Sequence, residues 1–440
     1  VGAGSVSANT DNTVNFGAIT RSGGTLDVST SGTFITSSAN VNGILAGITY
    51  GNTTWAVSGT TTAITGLADG SYTTTTTAGD TAGSYTNFNI DVTSSPSPGA
   101  IAANSLRFAD ATAARTLTFT GSNTVSSGIL VTAGVGANLS TITGGTLAGS
   151  SGGDLVVIQN NPSAGLSIGS VIVNNSSATG LTKSGSGLLT LSSANTYTGG
   201  TRLNEGTLSF ANNALGTSGN ITLAGGTLQW ATGNTQNIGS RMVLVPGAVA
   251  TLDTNGNNVS LTGTIGSSAA AALVKVGLGT LTGTTNNTGG LTVNAGQVNL
   301  TGWANSPNNT LTVNSGGVLQ FGAGGDQRAL AGPLIGPTAP VMLTPVVVNA
   351  GGLLLQNNTF STVPLGPLTL AGGTYNATNS SQGFGPYALT GTVTVNGTQT
   401  SAINNTSGTV IPLGALNVAN ALDSTFTVTF DVADSAVGTD

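Results

Sequence analysis

The chain has 440 residues, of which 8 are Lys or Arg, 14 are Asp or Glu, and none is His or Cys, for a net charge of −6. So few cations exclude a nucleic-acid binder, whose affinity comes from neutralising phosphates. The missing His and Cys exclude Ser-His-Asp and Cys-His nucleophilic sites, the usual zinc and copper centres, and any disulfide framework.

Apolar residues still make up 38% of the chain, enough to build a core, so it is not a disordered linker. Thr, Val, Ile and Leu suit strands, Gly and Asn suit turns with positive φ, and good helix formers are scarce. The expectation is all-β. No run of 18 apolar residues occurs, so no membrane-spanning segment is expected. The chain opens at Val1 without an initiator Met or a signal peptide, which reads as a processed chain or a fragment.

Residues 1–95 read as a variable N-terminal β region. It contains one echo of a later repeat, "RSGGTLDV" from Arg21 to Val28, and a "TTTTT" run (Thr73 to Thr77) that suits an exposed strand or a glycan-bearing loop. Asp69, Asp91 and Asp110 lie 22 and 19 residues apart, with Arg107 and Arg115 nearby. That spacing would stack them on adjacent coils, but the plainer expectation is isolated, solvated turn aspartates. The segment "SSPSPGA" (Ser94 to Ala100) separates this region from the next.

Residues 100–377 carry a repeat. Its ten-residue template is apolar, x, apolar, Asn/Ala, x, Gly, x, apolar, x, apolar. "TRLNEGTLSF" (Thr201 to Phe210), "ITLAGGTLQW" (Ile221 to Trp230), "LTVNAGQVNL" (Leu291 to Leu300) and "LTLAGGTYNA" (Leu368 to Ala377) follow it. "LTVNSGGVLQF" from Leu311 and "VVVNAGGLLLQ" from Val346 are one residue longer. Alternation places positions 1, 3, 8 and 10 on one face of two short strands. Between them, Asn-x-Gly or Ala-Gly-Gly permits either a bend or a two-residue hairpin.

Spacing favours the bend. Gly206, Gly226 and Gly247 lie 20 and 21 residues apart, as one coil of a solenoid requires. The preferred fold is a right-handed parallel β-helix (β-solenoid), with a β-sandwich array as the alternative. Leu208 and Leu228 then share an interior ladder, and Trp230 joins the core.

A longer match reinforces the repeat. Leu181, Lys183, Gly185, Gly187 and Leu189 are followed by Gly199 and Gly206; Leu273, Lys275, Gly277, Gly279 and Leu281 are followed by Gly289 and Gly296. The two lysines are 92 residues apart, which marks them as residues of repeat register rather than catalysis. With Leu191, Asn195, Tyr197, Thr201 and Leu208, the first copy resembles the autotransporter-associated β-strand repeat, or passenger-associated transport repeat, of bacterial surface proteins. The second copy has no Tyr and carries Gly283 where Leu191 stands. The resemblance implies a secreted β-helical passenger or a large surface protein.

Metal signals are weak. "DTNGNN" (Asp253 to Asn258) departs from a calcium loop at Asn258 and Thr264, and "GAGGDQ" (Gly322 to Gln327) is a single imperfect echo of a tandem calcium repeat. Asp431 and Asp434 are the remaining calcium candidates, and no cofactor is expected. A proline cluster from Pro333 to Pro345 reads as a loop insertion. Residues 378–440 form a C-terminal β region ending in "STFTVTFDVAD", where Phe426, Val428, Phe430 and Val432 share one face. That strand either caps the solenoid or is donated to another subunit.

No catalytic residues are expected. The leading expectation is a structural extracellular protein of a bacterial surface, a β-solenoid subunit of a self-assembling fibre, sheath or layer that partners itself through terminal strands. The alternative is a passenger-like adhesin that binds polysaccharide or a host surface. Its uncharged Thr, Ser and Asn surface suits hydrogen bonding to glycans.

Overall fold

Alternation in the repeat becomes stacking in the structure. In this computed structural model the two halves of "TRLNEGTLSF" are separate strands, Thr201–Leu203 and Thr207–Phe210, and they enter different sheets. The intervening Asn-x-Gly is therefore a corner between two faces of a coil, not a hairpin. The structure describes residues 3–9, 12–59, 63–76, 85–265, 270–285, 287–303, 309–321, 344–356, 363–365, 367–377, 387–389, 392–405 and 430–432. The chain divides into two compact units, Val1–Asn234 and Thr235–Asp440.

In the first unit, one face stacks Ala102–Phe108, Ser122–Val131, Asp154–Gln159, Gly180–Ser184, Thr201–Leu203 and Ile221–Leu223 in parallel. The other stacks Arg115–Thr118, Ser140–Thr143, Leu166–Ile168, Leu188–Leu191, Thr207–Phe210 and Thr227–Trp230. Register fixes one interior ladder of Leu117, Ile142, Ile168, Leu191, Phe210 and Trp230, each no more than 1% exposed. Leu208 pairs with Leu228 as the template requires. The Phe210 and Trp230 rings meet in this ladder with centroids 5.3 Å apart.

In the second unit, one face stacks Val249–Asp253, Ala272–Val276, Leu291–Val293, Leu311–Val313, Val346–Asn349, Leu368–Ala371, Val393–Val395 and Phe430–Val432. The other runs from Val259–Ile265 through Thr280–Thr285, Gly296–Trp303, Gly317–Phe321, Leu353–Gln356 and Thr374–Ala377 to Ala402–Asn405.

The fold is a parallel β-solenoid. A β-sandwich array would need antiparallel neighbours, and among the described strand pairs these occur only where Ile48–Tyr50 meets Thr54–Val57 and Thr54–Val57 meets Thr65–Gly66. Each fully buried Leu or Val contributes about 1.5–3 kcal/mol. Ordering roughly 20 residues of backbone opposes folding by about 1–2 kcal/mol per residue. A lone coil cannot offset that loss, so stability comes from stacking.

The N-terminal residues already coil. Ala3–Val6, Thr25–Val28 and Ile48–Tyr50 pair in parallel. The section that follows packs on the outside of the first unit's sheet, where Ile44, Trp55 and Tyr72 cluster with Leu130, Val156 and Ile158. That coverage explains "DLVVIQ" (Asp154–Gln159), where both faces of the strand are buried and the alternation is lost. Arg21 pairs with Asp154, and the Asn204 amide donates to the Gly23 carbonyl at 3.1 Å. Gly128 is required under Trp55: at φ +136, an added Cβ would lie 3.0 Å from the indole and 3.1 Å from the Val156 carbonyl oxygen.

Candidate functional site

Lys183 occupies an interior ladder position between Val157 and Leu203, and it is fully buried. An ammonium in a core must satisfy three donors. Its Nζ donates to the carbonyl oxygens of Ser184 at 2.9 Å, Gly185 at 2.5 Å and Glu205 at 3.0 Å. The first two belong to its own bend and the third to the bend of the next coil. Lys275, between Leu252 and Val293, repeats the arrangement on Val276 and Gly277, both at 2.7 Å, and Ala295 at 3.2 Å. Burial pushes the Lys183 amine down to about 7 against the opposing charge of Glu205, and the Lys275 amine down to about 8 against that of Asp253.

The glycines of the motif follow from this clip. Gly206 sits at φ +68, and a Cβ there would fall 2.3 Å from the Gly185 carbonyl oxygen, 2.6 Å from that of Gly187 and 2.8 Å from Lys183 Nζ. Gly296 meets the Gly279, Gly277 and Lys275 atoms in the same way. Lys-x-Gly-x-Gly therefore presents carbonyls and cation at one corner, and Asn-x-Gly lets the next coil close on them. Asn195 makes a second clip, accepting from the Ile172 amide and donating to the Ala214 carbonyl, each at 2.7 Å. Asn287, at the matching place in the second copy, donates to the Ala271 carbonyl at 2.7 Å.

The remaining sequence candidates scatter. Asp253 accepts from the Asn255 amide at 2.8 Å, an ordinary Asx turn. No group of three or more acids fit to hold a metal occurs among the described residues. Phe430–Val432, which includes Asp431, pairs in parallel with Val393–Val395 of the same chain. Phe426, Val428, Asp434 and the "GAGGDQ" segment lie outside the described residues, as does nearly all of the proline cluster.

Asp69, Asp91 and Asp110 do not behave as isolated turn residues. Asp69, Asp91, Asp110 and Arg107 line one cleft of about 860 Å³ in the first unit, together with Tyr50 and several threonines. Arg107 grips Asp91 through Nη2 and Nε, at 2.7 and 3.2 Å, and reaches Asp69 through Nη1 at 2.8 Å. Its guanidinium stacks 3.9 Å above the centre of the Tyr72 ring, whose hydroxyl lies 2.8 Å from that of Thr54. Burial pulls Arg107 towards the neutral form, but the Asp91 contacts outweigh it and keep the guanidinium charged. Arg115 pairs with Asp110. Burial would raise the Asp110 carboxyl; hydrogen bonds from Thr112 and Arg115 outweigh it and hold the carboxyl below 3.8. A charged Asp110 accepts hydrogen bonds rather than donating a proton. The spacing of the three acids carried this signal, while the place of Tyr50 on the cleft lining and of Tyr72 under Arg107 left no local trace.

Comparison with known proteins supports the repeat. The passenger-associated-transport-repeat family model matches residues 114–135 and 181–210. The second match is the Lys183 coil, and the first spans strands of the preceding rungs. The matched segments are similar to this repeat; Lys275, outside both matches, builds the same clip. Over 185 residues the chain is 31% identical to the adhesin BmaC autotransporter of Brucella suis biovar 1 (strain 1330). That alignment covers 38% of this chain and 5% of the relative, so the chain spans a small part of that protein's length. No solved structure matches the chain.

Proposed function

We propose that the chain is a segment of an extracellular, autotransporter-passenger-like adhesin at a bacterial surface. It acts without catalysis: the solenoid is a scaffold, and binding belongs to its exterior. The observation that carries this reading is the Lys183 coil, where the passenger repeat and the clip between coils are the same residues. The adhesin relative supports the surface role, and no helix of the described residues is long and apolar enough to cross a membrane. Display of the chain on a non-adherent bacterium tests the reading. Gain of attachment to host cells or polysaccharide-coated surfaces is expected, and attachment equal to the undecorated strain overturns it.

Self-assembly is a second reading. Phe430–Val432 adds to Val393–Val395 in the parallel register of the earlier rungs, a geometry that would accept a rung from another molecule. Light scattering of the purified chain across a concentration series, with electron microscopy of the same samples, checks it. Fibres growing with concentration are expected, and single particles throughout would end this reading.

A further inference from the structure

We propose that the cleft between Tyr50, Asp69 and Arg107 binds a neutral oligosaccharide. The inference rests on the adhesin reading and gives it a site.

Charge distribution points to this cleft. The chain has 8 basic and 14 acidic residues in 440, and among the described residues no salt bridge joins two residues of the interior ladders. Yet Asp69, Asp91, Arg107, Asp110 and Arg115 gather within one stretch of the first unit. The Arg107 and Asp91 side chains are only 7% and 13% exposed. A buried ion pair of this kind is a poor device for stability, because desolvation offsets most of its attraction. Its use here is to fix charged, oriented acceptors and donors at the wall of a cavity.

The backbone departs from its rule at the same place. The two antiparallel pairings of the described strands involve Ile48–Tyr50, Thr54–Val57 and Thr65–Gly66, and Tyr50, Thr54 and Gly66 from these strands line the cleft. The hairpin builds a wall that a regular coil does not supply.

The lining matches a sugar. Tyr50 is half-buried: it lines the cleft and packs against the Val28 and Phe34 cluster, which makes it a fixed aromatic wall for a sugar. Thr53 and Thr74 are exposed hydroxyls on the lining, and Asp69 keeps its side chain 87% exposed while still paired to Arg107. Paired carboxylates accept from vicinal hydroxyls, and threonines both donate and accept. The three acids exceed the two arginines by one charge, which disfavours an anionic polysaccharide.

Isothermal titration of the full chain with maltoheptaose, cellohexaose and a neutral galactan oligomer, against polygalacturonate, tests the proposal. At least one neutral oligomer is expected to bind, with Tyr50→Ala weakening it tenfold or more and Asp69→Asn about three- to tenfold. Asp69 is exposed and Tyr50 half-buried, and circular dichroism of each variant checks that it folds. Failure of every neutral oligomer to bind, binding unchanged in both variants, or tighter binding of polygalacturonate overturns the site. The same variants in the display assay separate the two readings. Attachment that survives both substitutions refutes this cleft and leaves the adhesin reading standing, whereas an unsubstituted chain that fails to attach defeats that reading.

Discussion

Lys183 reaches one coil forward to Glu205: its Nζ donates to the Glu205 carbonyl oxygen at 3.0 Å while holding Ser184 and Gly185 in its own coil. Three carbonyl oxygens thus converge on one point in a dry interior. Without the cation they face each other unpaired. An unmet buried polar group costs about 1–3 kcal/mol, offset in part by relief from burying the ammonium. Lys183→Met is therefore expected to destabilise its coil by about 2–3 kcal/mol. Hydrogen exchange reads this locally, as faster exchange at the Asn204 and Leu181 amides. Protection equal to the parent chain would show that the clip contributes nothing.

Glycine at the corner gives a sharper contrast. Gly206 and Gly233 both have positive φ, +68 and +80, but only Gly206 has atoms in the way of a Cβ; nothing lies within 4 Å at Gly233. Gly233→Ala should lose about 1 kcal/mol, the backbone term alone. Gly206→Ala should lose about 3 kcal/mol or more, because backbone carbonyls and the ammonium must shift. Urea unfolding midpoints of the two variants check this, and equal losses would refute the steric account.

These coils were legible because their signal is local and periodic. Thr201, Leu203, Leu208 and Phe210 announce an inward face by spacing alone, and Lys183 with Lys275 announces a register. The chemistry of that register was hidden, since the lysine's partners are backbone carbonyls and carry no residue identity. The contact between Arg21 and Asp154 spans 133 residues, and no spacing relates its two ends. The unbroken apolar run in Asp154–Gln159 was its one trace, the mark of a strand covered on both faces. Asp69, Asp91 and Asp110 were visible as a spacing, but only the position of Arg107 turns that spacing into a cleft.

The covering of that strand predicts a packing loss. Trp55 is fully buried against Val156 and Leu130, and Gly128 is shaped to admit its ring. Trp55→Ala should open a cavity and cost about 3–5 kcal/mol. The loss should appear first as proteolytic cleavage within residues 3–76, with the Leu208 and Leu228 coils still protected. Cleavage no faster than in the parent chain would mean that the N-terminal section is held by other contacts.

Acid should loosen the same section through Asp154. Burial alone would raise this carboxyl, but the hydrogen bonds and charge of Arg21, with the Thr182 hydroxyl, outweigh it and hold it below 3.8. In the unfolded chain the group returns to that ordinary value, so between the two values the unfolded state binds more protons. Falling pH then favours unfolding: the contribution is complete above about pH 5 and disappears as pH drops through the folded value. Hydrogen exchange at Thr25–Val28, compared at neutral pH and at about pH 2.5, is expected to show the loss. Asp154→Asn removes the titrating group, so its N-terminal section should be less protected at neutral pH and change less on acidification. An acid step of the same size in Asp154→Asn would assign the sensitivity to another carboxylate, but not to Asp27 of that N-terminal sheet: burial raises its carboxyl above the ordinary value, so its protonation on acidification favours the folded state.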